Sequence, residues 1–338
     1  PIQYRQISSY DEYVARHAGR VDEAAGTGSV TVMQAEYPTF VSDTSVYPSN
    51  DRSSAITQPS TPESQLFNTM GASSFNTVGQ WAGYSFRVEK SGWYEINMRY
   101  KQNLLDGLFV SRTIKLSGGE YGDTPTVPFM EAYETRFDFS KNWQIQPLNN
   151  GDPARPFKFY FEAGTTYTLY LEVGLGTLSS SIQQVQNALQ VINDSYLEIT
   201  KLTGANPDKY RDYGFMKIMP KTIRNLAKQA DELDAVIARF KELCGSTGAQ
   251  VATLEQVSVL IKRMVKKESN IAENLSNLKS YIGTLGTWLN TCKQQGLLYD
   301  YITVSSDGIK DERANANFFE SAWFEIRSFF VSFFVDYN

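Results

Sequence analysis

Leu298-Tyr-Asp-Tyr-Ile-Thr-Val-Ser305 (LYDYITVS) decides the fold. It alternates aromatic and β-branched residues with polar ones, so it reads as a strand, yet it follows a long helical stretch, 177–296. Before that stretch, a run of alternating strands stops near Val173. The economical reading is that the late strand returns to the sheet left behind. The helices are then a guest inside a sandwich, and the sandwich is the place to look for function.

Working outward, Val30–Glu36 (VTVMQAE) alternates as an opening strand, and further strands are predicted at 80–88, 93–101, 111–117, 125–131, 157–162 and 165–173. Each is short, Gly or Pro punctuates the gaps, and Ser91-Gly92 and Ala163-Gly164 look like hairpin turns, the pattern of a sandwich or jelly roll. Pro38–Gly71, rich in Ser, Thr, Pro and Asn, reads as a long surface excursion. Ser9 and Glu12 carry the capping-box signature of a short helix.

After Gly176 the period changes from two residues to about 3.5. Leu178, Ile182, Val185, Leu189, Ile192 and Tyr196 make one stripe, and Ile223, Leu226, Ala230, Leu233, Ile237 and Phe240 a second. A shorter helix is predicted to follow Thr253, with Gln256 completing a capping box, and a fourth carries Ile271, Leu275, Leu278, Ile282, Leu285, Leu289 and Cys292. Four inward stripes predict an antiparallel bundle. Two antiparallel helices after Thr253 would bring Cys244 and Cys292 to the same end, the favoured path, whereas one continuous helix from Thr253 would separate them. The tail is a third kind of helix: Asn317 and Glu320 form a cap pair, and Phe319, Trp323, Ile326, Phe330 and Phe333, flanked by Phe318, Phe329 and Phe334, form a face that needs a cover.

The expected architecture is therefore α+β and multidomain: an N-terminal helix and linker (1–29), a β-sandwich (30–176 plus 297–308), an inserted helical bundle (177–296) and a C-terminal amphipathic helix (314–338). Aromatic residues make up 13% of the chain, which suits both a β-rich core and an aromatic binding surface. With 32 basic and 37 acidic residues, a net charge of −5 and no basic stripe beside exposed aromatics, nucleic acid is not the expected partner. No uninterrupted apolar run is long enough to span a membrane, no signal peptide is evident, and the abrupt ends suggest an excised piece. Cys244 and Cys292 have no metal spacing.

The catalytic inventory is thin. The single histidine, His17, falls in the N-terminal helix, and HExxH, P-loop and GxSxG motifs are absent, so no enzyme is expected. A glycosidase would need a carboxylate pair that 37 acids cannot single out.

Val32–Glu36 (VMQAE), Gly79–Tyr84 (GQWAGY), Gly92-Trp-Tyr94, Met98-Arg-Tyr100 and Tyr299–Val304 (YDYITV), in that order, resemble the galactose-binding-like jelly rolls of carbohydrate-binding modules, especially families six and thirty-five. Pro48–Ala55 (PSNDRSSA), Arg99–Asn103 (RYKQN), Thr203–Asp208 (TGANPD), Gly283–Trp288 (GTLGTW) and Ala314–Phe319 (ANANFF) extend the likeness to the whole chain. It resembles the N-terminal extension of Gram-positive family one extracellular solute-binding proteins of sugar ABC transporters. That resemblance implies a lipid-anchored cell-surface protein, a solute-binding domain following the tail helix in the same polypeptide, and indirect contact with the transporter permease.

It also implies a structural calcium between two acids of the opening strand and one of the closing strand. Here Gln34 and Glu36, which share a strand face, and Asp300 occupy those positions, with Gln34 replacing an acid. The alternative is that Gln34 and Glu36 merely face solvent while Asp300 caps a strand. An oligo- or polysaccharide is the other expected ligand. Its candidate contacts are Asn142-Trp143-Gln144, in a polar loop, and Tyr47, Asn50, Asp51 and Arg52, in the excursion. The bland readings are that Trp143 covers a sheet edge and that Asp51 and Arg52 order their own loop. Trp81, Trp93, Tyr94 and Trp288 read as core. The rival to sugar binding is a structural spacer; a pore former is disfavoured by helix faces rich in Lys, Glu and Asn.

Overall fold

The structure, a computed structural model, describes residues 7–59, 66–245, 247–308 and 313–332. They divide into two compact units, one drawn from 1–104, 110–176 and 295–338, the other from 105–109 and 177–294.

The first unit is an antiparallel two-sheet sandwich. One sheet runs β10 (Lys158–Phe161), β6 (Gly92–Lys101), β12 (Leu298–Ser305), β4 (Thr69–Gly71), β3 (Pro48–Ser49), with β1 (Val30–Gln34) also on β12 and β9 (Gln144–Pro147) also on β6. The other runs β2 (Phe40–Val41), β5 (Trp81–Phe86), β11 (Tyr167–Gly174), β7 (Val110–Ser117), β8 (Thr135–Phe137). LYDYITVS is β12, at the middle of its sheet. It pairs with β1 in the register Met33↔Ile302 and with β6 in the register Met98↔Ile302. Alternation explains the core: Tyr94, Ile96, Met98 and Tyr100 of β6 and Ile302 and Val304 of β12 are buried. The aromatic content goes largely inside, as in the edge-on Phe86 and Phe161 rings at 5.0 Å.

Three local expectations are corrected. Residues 125–131 form no strand: only Thr126 bridges Leu116, because Pro128 has no N–H to continue a ladder, and a 3₁₀ turn follows at Met130–Tyr133. The turns at Ser91-Gly92 and Ala163-Gly164 are not hairpins, since β5 and β6, like β10 and β11, belong to different sheets. The excursion is stitched into both sheets through β2, β3 and β4. Helix α1 (Tyr10–His17) starts with the expected capping box of Ser9 and Glu12.

The second unit is a four-helix bundle of α2 (Ser179–Thr203), α4 (Pro220–Cys244), α5 (Ala249–Lys266) and α6 (Glu268–Lys293), with a one-turn α3 (Phe215–Ile218) before α4. Each long helix packs on two neighbours, α2 meeting α4 and α6, and α5 meeting α4 and α6. On α2 the buried line drifts to Ala188, Ser195 and Ile199, because a straight helix turns every 3.6 residues rather than 3.5. Cys244 and Cys292, at the C-terminal ends of α4 and α6, lie at the same end of the bundle.

Helix α5 begins at Ala249, not after Thr253, whose hydroxyl donates back to the Ala249 carbonyl inside the helix. The missing start signal is tertiary: the α5 N-terminus lies against Asp106 and Gly107. A Cβ on Gly248 would stand 2.4 Å from the Gly107 nitrogen and 2.5 Å from the Asp106 carbonyl. Gly248→Ala is therefore expected to lower stability by about 1–3 kcal/mol, because backbone rather than a flexible side chain must give way. Urea melts of the two proteins should differ by that amount; equal midpoints would refute the close approach.

Helix α7 (Phe318–Ser332) starts at the expected cap, with Glu320 N–H donating to Asn317 Oδ1 at 2.9 Å and Asn317 N–H to Glu320 Oε2 at 2.8 Å. Phe319 and Trp323 are 81% and 68% exposed. Phe333 and Phe334 of the expected stripe lie outside the described residues.

Candidate functional site at a bulge in the closing strand

Between Tyr299 and Tyr301 the register of β12 on β6 slips, so Tyr299 faces Tyr100, Tyr301 faces Arg99, and Asp300 is the extra residue. A bulge of this kind re-aims a side chain. The Asp300 carbonyl still accepts from Ala35 N–H at 2.9 Å, which ties it to the end of β1, while its carboxylate pairs with Arg99. Both side chains are 1% exposed.

Arg99 is the hub. Its Nε donates to the Ala314 carbonyl at 3.0 Å, and its two terminal nitrogens donate to Thr57 Oγ1 at 2.8 Å, to Ser54 Oγ at 2.9 Å and to Asp300 Oδ2. The guanidinium lies over the Trp143 ring, 4.3 Å from its centroid. Asn315 Nδ2 donates to the Trp143 carbonyl at 2.9 Å. One cation thus joins the excursion, the closing strand, the Trp143 loop and the segment that leads to α7.

This corrects the sugar-stacking role expected of Trp143. The ring is 2% exposed and one of its faces carries Arg99, so it offers no platform to a pyranose. Asn142 is exposed and Gln144 half-buried, and Gln144 Nε2 donates to Ser140 Oγ. In the excursion, Asp51 accepts from the Ser53 backbone and hydroxyl, an Asx turn, and Asn50 donates to the Leu66 carbonyl. Those groups order their own loop. Tyr47 presents an exposed ring, and Arg52 is exposed.

Gln34 and Glu36 flank Ala35, whose N–H bonds the Asp300 carbonyl at the bulge, and the Glu36 and Asp300 carboxyls are near enough to feel each other's charge. Gln34 Oε1, Glu36 Oε2 and Asp300 Oδ1 are buried and have no hydrogen-bond partner. Three orphan oxygens are costly unless a cation or water meets them. Burial raises the Asp300 carboxyl to about 6, against the pull of Arg99 and with a further push from the charge of Glu36; burial also raises Glu36. Hard oxygens of this kind fit calcium. Among the described residues no three His, Cys, Asp or Glu side chains cluster, so Glu36 and Asp300 supply the negative charge here, and Asp300 shares its own with Arg99.

His17 is buried, with Nδ1 2.7 Å from the Tyr13 carbonyl and Nε2 2.8 Å from both Glu120 oxygens; Trp93 and Tyr160 enclose it. Beside this cluster is a cavity of about 250 Å³ lined by Ser8, Tyr13, Arg16, Glu120, Tyr121 and Thr126. Sequence reasoning missed it, because the residues come from segments far apart in the chain. It missed Arg99 as well, quoting it only as part of a strand motif.

Residues 180–292 match the family model described as bacterial solute-binding protein, 4-helix bundle domain. That is the inserted bundle. A search of curated proteins finds no match. Among solved structures, a cycloisomaltooligosaccharide glucanotransferase of Paenibacillus sp., complexed with cycloisomaltoheptaose, aligns at 14% identity and a TM-score of 0.29, over 51% of this chain and 22% of that one. The C-terminal CBM6 of LamC, a marine laminarinase from Zobellia galactanivorans, aligns at 18% identity and a TM-score of 0.25, over 43% of this chain and 90% of that one. The Podospora anserina GH26-CBM35 β-(1,4)-mannanase aligns at 8% identity and a TM-score of 0.25, over 60% and 48%. The chain thus spans about a fifth of the glucanotransferase and about half of the mannanase. No described helix is long and apolar enough to cross a membrane.

Proposed function

We propose that this chain is the non-catalytic accessory region of an extracellular, lipid-anchored solute-binding protein of the Gram-positive family one kind, serving sugar uptake through an ABC transporter. Its sandwich acts as a structural module stabilised by calcium at Gln34, Glu36 and Asp300, and α7 leads to the solute-binding domain. The match of the bundle supports the family context. The observation that carries the structural role is Arg99, whose guanidinium is used up by this chain's own groups where a sugar site was expected.

Calorimetric titration with plant and host polysaccharides should give flat heats. Saturable heats that vanish in Asn142→Ala with Gln144→Ala would overturn this reading. Saccharide capture remains the second reading, favoured by the cavity under α1. In that case binding would be lost in Arg16→Gln with Glu120→Gln and kept in the Asn142 and Gln144 variants.

A further inference from the structure

The end of the bundle where α2 meets α3 and α5 meets α6 is chemically unlike the rest of the chain. Across 201–221 and 263–268 stand eight Lys and Arg, all exposed, against Asp208, Asp212 and Glu268. The acids are spent on the loop itself: Asp208 accepts from Tyr210 N–H at 2.9 Å, Asp212 from Gly214 N–H at 3.0 Å and Glu268 from Met216 N–H at 2.6 Å. Among the described residues, none of the eight bases makes an ion pair, whereas elsewhere on the bundle Lys228, Arg239, Lys241 and Lys262 do. The three carboxylates keep their charge, so these segments carry a net charge of +5, and like charge gathered on one surface favours an anionic partner.

The same surface is greasy. Tyr210 is 100% exposed and Ile218 60%, with Leu202 and Met216 exposed beside them. The loop that carries Tyr210 is held in place by Tyr213 stacked on Phe215 with ring centroids 5.3 Å apart, and by the Tyr213 hydroxyl accepting from Asp208 N–H. Its display costs little further ordering on binding. Apolar side chains gain nothing from a soluble polyanion, but they gain from the headgroup boundary of a bilayer, where bases meet phosphates and aromatic rings sit between water and acyl chains.

We infer that this end of the bundle docks on an anionic lipid surface, with Lys209, Arg211, Lys217 and Lys267 meeting phosphate headgroups and Tyr210 and Ile218 entering the interface. The test is co-sedimentation of the full chain with phosphatidylcholine vesicles, with and without phosphatidylglycerol. The chain should bind only the anionic vesicles, more weakly as salt rises. Each of Lys209→Gln, Arg211→Gln and Lys217→Gln should weaken binding about five-fold. Tyr210→Ser with Ile218→Ser, at unchanged charge, should weaken it about ten-fold. Circular dichroism would check that each variant folds, and Arg239→Gln should bind as the parent does. Absence of binding to anionic vesicles overturns the inference. So does binding that survives the Tyr210 and Ile218 substitutions and is competed by dextran sulfate, which would make the patch a general polyanion site.

Discussion

Arg99→Met is expected to lower the unfolding free energy by about 3–5 kcal/mol, since removing one partner of a buried pair leaves the other charge uncompensated. Ser54, Thr57 and the Ala314 carbonyl would lose their donor at the same time, so the excursion and the segment before α7 loosen together. Urea denaturation at neutral pH measures the loss. Arg99→Met with Asp300→Leu should recover part of it, because no charge is then stranded. The penalty should shrink below about pH 5, where the Asp300 carboxyl, raised to about 6, is already protonated. A loss under about 1 kcal/mol would mean that Arg99 organises nothing.

Calcium should raise the melting temperature at pH 7 and hardly at pH 5. Both Asp300 and Glu36 have folded-state pKa values above their ordinary ones, so the folded chain binds more protons than the unfolded chain. Without a cation, stability therefore falls as pH rises from about 4 to about 6 and stays low above that. A cation reverses this by replacing the lost protons, and a concentration a hundred times its dissociation constant adds about 2.7 kcal/mol. Thermal melts with calcium and with chelator test it. Asp300→Asn should blunt both the pH slope and the calcium response. Superimposable melts at pH 7 would remove the proposed metal.

The sandwich was legible because period-two alternation and the late strand LYDYITVS are local signals, and the bundle because its stripes repeat for many turns. What escaped was set by distant groups. Trp143 sits in a polar loop, and only the arrival of Arg99 from β6 and Asn315 from beyond β12 buries it. The α5 start depends on Asp106 and Gly107, far upstream, and the Pro125–Glu131 stretch had strand composition but a proline where a donor was required. Gln34, Glu36 and Asp300 were grouped through family resemblance. The bulge that turns Asp300 toward Arg99 leaves no mark in the sequence.

The placement of β12 after the bundle also dictates an order of events. Synthesis delivers β1 first and its central partner last, so the seven-stranded sheet waits for its middle while α2 to α6, whose contacts are local, condense early. A nascent chain stalled before Leu298 should hold a finished bundle and all strands of the five-stranded sheet, with the other sheet in pieces, β10-β6-β9 and β3-β4 with open edges and β1 unpaired, and that interval is when this polypeptide most needs a chaperone.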